Sequence, residues 1–350
     1  MKKYLLIITT VFAFCINTKA QDGIENILFA DISDANKLTL EYLRPASEGF
    51  IYGMSNGWYH TAKVHKILGF DITIGANIST APSSMESFNV NSLNLSSKIT
   101  QNPSTSPTVL GSGVAVTNAF EVTIPANSDP NINGGIHPEL RRNFTMPDGF
   151  GDDLPMSGVP TPAVQVNVGL PWKLEASLRY APEIGDDVKG KLFGLGVKKE
   201  ITSWFGPLDK TPLHISIMAA FTNMTVSSVI DDPSGNDVNI TNGLGELDLK
   251  SHTIQAIASL NFPIINIYGG FGYIGGSSSL SLSGRYELQY QDGLVNYTRI
   301  LNDPLNLDYD VIGFTTTVGA RLSFGFFKIF GSYTLQEFNT YSAGIAFSIR

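Results

Sequence analysis

Cysteine is almost missing from this chain: 350 residues contain one, Cys15, and it lies inside an apolar N-terminal run. Charge is also scarce. Asp, Glu, Lys and Arg make up 15% of the residues, against about 25% in ordinary soluble domains. The hydrophobic fraction of 43% is nonetheless that of a folded protein, so a disordered chain is excluded. Helical periodicity is nearly absent beyond the first residues; only Gly23 to Leu43 has the pattern of a short amphipathic helix. Glycine (34 residues), serine, threonine and asparagine fill the place of charge, which is the composition of a large all-β protein.

The N-terminus has the layout of a cleaved secretory signal over residues 1–20. Lys2 and Lys3 precede an apolar run from Leu5 to Ile16, and Thr18-Lys19-Ala20 offers small residues at −3 and −1. Cys15 follows Phe14 where a lipoprotein signal needs a small residue, so lipidation is not expected. Cleavage before Gln21 removes three of the 23 basic residues and none of the 31 acidic ones, which takes the net charge from −8 to −11. A mature chain without a thiol has no disulfide, thiolate metal site or cysteine nucleophile. An acidic exported chain is also a poor ligand for nucleic acid.

What remains is period 2. Phe70, Ile72, Ile74, Ala76 and Ile78 alternate with Asp71, Thr73, Gly75, Asn77 and Ser79. The same alternation marks ten strands, at about 69–79, 161–170, 173–182, 189–201, 212–228, 248–262, 265–283, 309–324, 326–335 and 340–349. No Asp, Glu, Lys or Arg occurs between Ser251 and Gly284, a length that would suit a membrane helix. Pro263, the glycines from Gly269 to Gly276 and the parity of Gln255, Ser259 and Asn261 make it a hairpin instead. Short turns at Pro171-Trp172, Ser203 to Thr211, Pro263 and Gly325 alternate with long polar connections at 80–160, 229–247 and 284–308. Val114 to Ile124 could add a strand pair and raise the count to twelve.

Alternation suits a soluble sandwich as well as a barrel. Short turns on one side, long loops on the other and an even strand count favour a membrane barrel. So do aromatics near strand ends, at Trp58-Tyr59, Trp172, Trp204-Phe205, Tyr268, Tyr286, Phe324 and Tyr341, where interfacial girdles lie. The expected fold is therefore an all-β, antiparallel transmembrane β-barrel of 10–14 strands (residues 69–350), carrying a loop insertion at about 80–160. Residues 21–68 form a short N-terminal plug-like segment, expected to enter from the periplasmic side. Strand charges on the polar parity, Asp71, Lys173, Glu175, Arg179 and Arg321, are expected to line the lumen. The last strand, Ser342 to Ile349, carries Gly344, Phe347 and Ile349 in the pattern of the signal read by barrel-assembly machinery.

Two stretches carry a resemblance. Asn56-Gly57-Trp58-Tyr59-His60-Thr61-Ala62-Lys63 leading into Gly69-Phe70-Asp71, and Leu192-Phe193-Gly194-Leu195-Gly196-Val197-Lys198-Lys199 leading to Pro212, resemble an uncharacterised family of Gram-negative outer-membrane proteins. The layout of signal, plug-like segment and barrel is distantly similar to FadL-type long-chain fatty-acid channels. These resemblances imply an outer-membrane location and a channel or binding protein for a hydrophobic small molecule. The alternative is a non-transporting barrel subunit that scaffolds a larger membrane complex. The expected partners are outer-membrane lipid, the assembly machinery, a hydrophobic ligand or other proteins of such a complex.

Chemistry is sparse. His60, His65, His137, His214 and His252 lack zinc spacing, and no Gly-x-Ser-x-Gly elbow is present. His214 and Ser216 share an inward parity, but a lumen histidine is the simpler reading. The aspartates near 148–153, 231–237 and 303–310 lack EF-hand spacing. No metal, no cofactor and no enzymatic activity is expected.

Overall fold

The structure, a computed structural model, describes residues 23–112, 119–185, 188–230 and 237–349. The expected signal at 1–20 lies outside them, as do Val114 to Asn118. After a 3-10 turn at Ile24–Phe29, helix α1 runs from Ile32 to Ser55. Strand β1 (Phe70–Thr80) is followed by an insertion with five short strands: β2 (Ser87–Asn89), β3 (Ile99–Gln101), β4 (Thr105–Pro107), β5 (Phe120–Ile124) and β6 (Leu140–Phe144). Then come β7 (Gly158–Leu170), β8 (Leu174–Ile184), β9 (Val188–Glu200), β10 (Leu213–Ile230), β11 (Val238–Asn261) and β12 (Ile265–Asp292). The chain ends with β13 (Val295–Asn302), β14 (Leu305–Phe324), β15 (Phe327–Leu335) and β16 (Asn339–Ile349).

Ten of these strands close a ring. Each pairs antiparallel with its sequence neighbour in the ring, β12 skipping the short β13 to pair with β14, and β16 returns to β1. The β16–β1 register places Phe347 opposite Ile72 and Gly344 opposite Gly75. One end of the ring carries the tight connections 171–173, 201–212, 262–264 and 325–326 (the turn end). The other carries the insertion and the tall β10–β14 hairpins (the loop end). The twelve-strand alternative does not hold: Phe120–Ile124 pairs with β3 and β6 in a separate three-stranded sheet. Two of the expected long polar loops also prove to be extended strand, since β11 starts at Val238 and β12 continues to Asp292.

The faces are inverted relative to a soluble protein. In the turn-end half, Ile217, Phe221, Ile254, Phe271, Phe314, Val318 and Phe347 point outward and are exposed. Asp71, Asn77, Gln165, Glu175, Thr253 and Thr317 point inward and are buried. A water-soluble shell has no reason to expose that surface; hydrocarbon has.

The tall strands mark where the band stops. Along β14 the outward positions are Asn306, Asp308 and Asp310, then Ile312, Phe314 and onward to Leu322. The inward positions change the opposite way, from Leu305 and Val311 to Thr315, Thr317 and Arg321. Nothing in the pleat requires both faces to swap between Asp310 and Ile312; a change of external solvent does. β11 swaps likewise between Lys250 and Ile254 on its outer face. From Ile312 to Leu322 the strand rises about 34 Å, which at a tilt near 45° is a band of roughly 25 Å. The mutational consequence is sharp. Phe314→Lys, 69% exposed within the band, should cost about 2–4 kcal/mol and block assembly, whereas Asp308→Lys on the same face should cost about 0–1. Comparing heat-modifiable gel mobility of the two variants checks this.

Above that edge the ring closes over an ordinary apolar core. Ile27, Leu28, Phe29, Leu38 and Tyr42 meet Phe120, Val122 and Phe144 of the insertion and Tyr286, Leu288 and Tyr290 of β12. Tyr286 is thus buried, and Tyr268 is buried lower in the lumen in a second cluster with Tyr59, so neither is interfacial. Trp172, Trp204, Phe205 and Phe324, at the turn end, are exposed rings that suit an aromatic girdle, and Tyr341 is exposed as well.

Candidate functional site

The lumen holds α1 and the segment that follows it. Asp31 caps the helix by accepting from Ser33 N at 3.2 Å. The expected end at Leu43 is too early: the helix passes Pro45 and runs to Ser55, with Arg44 Nε 2.8 Å from Glu48 Oε1 across the proline. Its direction also differs from expectation. The helix starts at the loop end, where Arg299 Nη1 on β13 donates to Ala30 O (2.8 Å), and descends past the β7 and β14 tops. The segment leaves at the turn end, where Leu68 N donates to Gly169 O.

Glycine on the inner wall makes room for the descending side chains. Gly276 faces Ile51, Gly313 faces Tyr52, Gly194 and Gly196 face the Trp58 ring, and Gly270 faces the Tyr59 hydroxyl. A Cβ at Gly194 would sit 2.9 Å from Trp58 Cη2. These glycines are seats for particular side chains, which bending of the wall does not explain. Trp58 and Tyr59 are therefore lumen residues, not members of a girdle. The two stretches that carry the family resemblance meet here, Trp58 lying against Gly194 and Gly196.

Arg179 holds the end of the helix. Its Nη1 donates to Met54 O at 3.1 Å and Asn56 O at 2.9 Å, while Nε and Nη2 reach Gln165 Oε1 at 3.1 and 2.9 Å. The guanidinium lies 3.9 Å from the centre of the Trp58 ring. A cation on the last carbonyls of a helix satisfies both their lone pairs and the helix dipole. Asn77 Nδ2 adds a bond to Gly53 O at 2.9 Å. Gly57, at φ 69°, turns the chain out of the helix where a side chain would collide with Asn77.

Below Trp58 lies an ionic network. Asp71 Oδ2 is 3.4 Å from His60 Nε2 and 3.3 Å from His65 Nε2. His65 Nδ1 is 2.7 Å from Glu175 Oε2, and Glu175 Oε1 is 2.7 Å from Lys198 Nζ. Arg321 Nη1 donates to His60 Nδ1 at 2.9 Å, so the His60 proton belongs on Nε2, toward Asp71. Asp71 Oδ1 accepts from Asn167 Nδ2 at 2.7 Å. Buried charges of this kind are costly without partners. Here plug and wall supply them to each other, with Asp71 Oδ2 and Arg321 Nε in ionic surroundings but without a hydrogen bond of their own.

Of the five sequence-derived lumen charges, the structure brings Asp71, Glu175, Arg179 and Arg321 together around residues 54–65. Lys173 is placed elsewhere: the strand begins at Leu174, and Lys173 sits exposed in the 171–173 turn. Lys198, Gln165, His60 and His65 join them, although none of these was expected to line the lumen. Lys198 shares the inward parity of Gly194 and Gly196, a usable signal; the two histidines lie on irregular chain that has no parity to read. Gly344 faces inward beside Phe330, while Phe347 and Ile349 face outward. His214 Nδ1 is 2.9 Å from Glu200 Oε1, and Ser216 donates to Ala62 O. The two side chains therefore serve different partners.

A family model described as a family of unknown function, DUF6588, matches residues 1–349. The chain belongs to that family. No curated protein matches it. Among solved structures it is similar to Ail, the attachment invasion locus protein of Yersinia pestis, at 12% identity and TM-score 0.24, over 50% of this chain and 95% of that one. It is also similar to the translocator domain of the autotransporter NalP from Neisseria meningitidis, at 10% identity and TM-score 0.30, over 82% and 90%. Superpositions this loose carry no functional argument. The membrane assignment of this DUF6588 chain rests on its closed ring and inverted faces.

Proposed function

We propose that this is an outer-membrane β-barrel sealed by its own N-terminal segment, a non-enzymatic and non-transporting subunit that presents its loop-end module to protein partners in a larger membrane complex. The loop end faces the exterior, following the rule that short turns lie on the periplasmic side. One observation carries the reading: the inner wall is moulded to the plug, with a glycine opposite each of Ile51, Tyr52, Trp58 and Tyr59. A wall shaped that way has the occupied lumen as its working state. Outer-membrane lipid and the barrel-assembly machinery, reading Gly344, Phe347 and Ile349, are the partners this location requires.

A second reading, a channel or binding protein for hydrophobic small molecules as the FadL-like layout implies, draws on a different observation. Below Trp58 the plug is held by ion pairs and hydrogen bonds, as between Lys198 and Thr61 O (3.2 Å), and water can replace these. Planar-bilayer recording separates the two. Full-length protein purified from outer membranes should show no steady openings, and deletion of residues 21–55 should create them. Steady conductance by the full-length chain, or saturable uptake of fatty acid by liposomes that contain it, would favour the second reading and overturn the first.

A further inference from the structure

The direction of the plug has a topological consequence. Residue 23 lies at the loop end: Gly23 packs on Pro147 of the insertion, and Tyr290 OH on β12 donates to Phe29 O at 2.9 Å. The descent is then monotonic. Ser96 N donates to Asp34 Oδ1 at 2.9 Å and Tyr42 OH to Asp148 O at 2.8 Å, both pairings with the insertion. Gly53 meets Thr161 near the top of β7, Gln165 Nε2 reaches Trp58 O at 2.9 Å lower on that strand, and Ser259 Oγ accepts from Ala62 N at 2.9 Å close to the turn. The 24-residue helix is about 36 Å long. Near its end Ile51 and Tyr52 meet Gly276 and Gly313, beside Val311 and Ile312 at the edge of the apolar band, so the helix stands above the band and residues 53–68 make the crossing.

We infer that the N-terminal segment crosses the outer membrane inside the barrel, so that Ile24 to about Leu43 lies on the cell exterior and forms one half of a surface module with the insertion. The lumen is then the conduit of this chain's own N-terminal segment. The apolar side chains at the start of the mature chain are the part of the exterior core that only this route delivers. Lys98 Nζ at 2.5 Å from Asp31 Oδ2, and the paired Asp34 and Ser96 side chains, lock the segment to the insertion once it has arrived. This inference rests on the orientation given above, with the loop end outward.

The one cysteine of the sequence is Cys15, so single substitutions made with Cys15→Ser give clean accessibility. Ser33→Cys reports the helix start, Leu294→Cys (fully exposed at the β12–β13 tip) the loop end, and Lys210→Cys the turn end. Intact cells are treated with a membrane-impermeant maleimide, and each variant is first checked for heat-modifiable mobility. The expected result is labelling of Ser33→Cys and Leu294→Cys to comparable extents, with Lys210→Cys labelled only after the outer membrane is permeabilised. Labelled Leu294→Cys with Ser33→Cys protected until permeabilisation would place the segment on the periplasmic side and overturn the inference, leaving the orientation intact. Labelled Lys210→Cys with protected Leu294→Cys would overturn the orientation itself, and the exterior location with it.

Discussion

Gly270→Val should loosen the plug, and removing the Tyr59 ring should undo the damage. Any side chain at Gly270 overlaps the Tyr59 hydroxyl. That ring has nowhere to retreat: its hydroxyl donates to Gln255 Oε1 at 2.9 Å, and its edge meets Tyr268 with ring centres 5.9 Å apart. Overpacking a closed site costs about 1–3 kcal/mol, and here the strain falls on the segment that occupies the lumen. The variant should lose its gel-mobility transition at a lower temperature than the parent and show flickering openings in planar bilayers. The double variant Gly270→Val/Tyr59→Ala should recover the transition temperature in large part, since the added methyls then fill the vacated volume. A single variant as stable and as silent as the parent would show that Tyr59 is not seated on the wall.

Among lumen residues the largest loss should come from Arg179→Met. Methionine keeps the length and apolar stem but removes the donors to Met54 O, Asn56 O and Gln165, and the cation over Trp58. Hydrogen bonds to a charged donor contribute about 1.5–3 kcal/mol each, and a cation–π contact about 0.5–2. Because they share one group they do not add, and a net loss of about 3 kcal/mol is expected. Arg179→Lys should fall between, since an ammonium keeps the charge without the planar fork that reaches two carbonyls and Gln165 together. Bilayer openings should be most frequent in the methionine variant, and the temperature of the mobility transition should fall in the order Arg, Lys, Met. An unchanged transition in Arg179→Met would mean that Asn77 and the loop-end core hold the helix without it.

All ten ring strands were legible because their signal is local. A pleat puts successive side chains on opposite faces, and a segment such as Val164 to Leu170 carries that alternation whatever it pairs with. The extents were less legible at the loop end. There the outer positions are Ser277, Ser279 and Ser281 on β12 and Asp308 and Asp310 on β14, a composition that also marks solvated loops. What makes these residues strand is pairing with a neighbour, as in Ser279 opposite Asp308 and Asp248, and that is long-range information. The aromatic girdle misled for a related reason: a ring near a strand end can point either way, so Trp58, Tyr59, Tyr268 and Tyr286 read like Trp172 although they are buried.

The sequence by itself determined the class of fold, the ring strands and which parity of each is polar, because those are consequences of period 2 within single strands. It also limited the chemistry, since a chain poor in charge, whose one cysteine lies in the apolar N-terminal run, has few reactive groups to offer. Only the tertiary structure decided that the ring closes at ten, that Phe120–Ile124 belongs to the cap, and that the plug descends from the loop end. Only closure brings Trp58 to Gly194, His65 to Glu175 and Arg179 to the last carbonyls of α1, residues separated by more than a hundred positions. Alternation assigns a face to each residue; which residues share the enclosed space depends on the curvature of the whole sheet and on the direction in which the chain enters it.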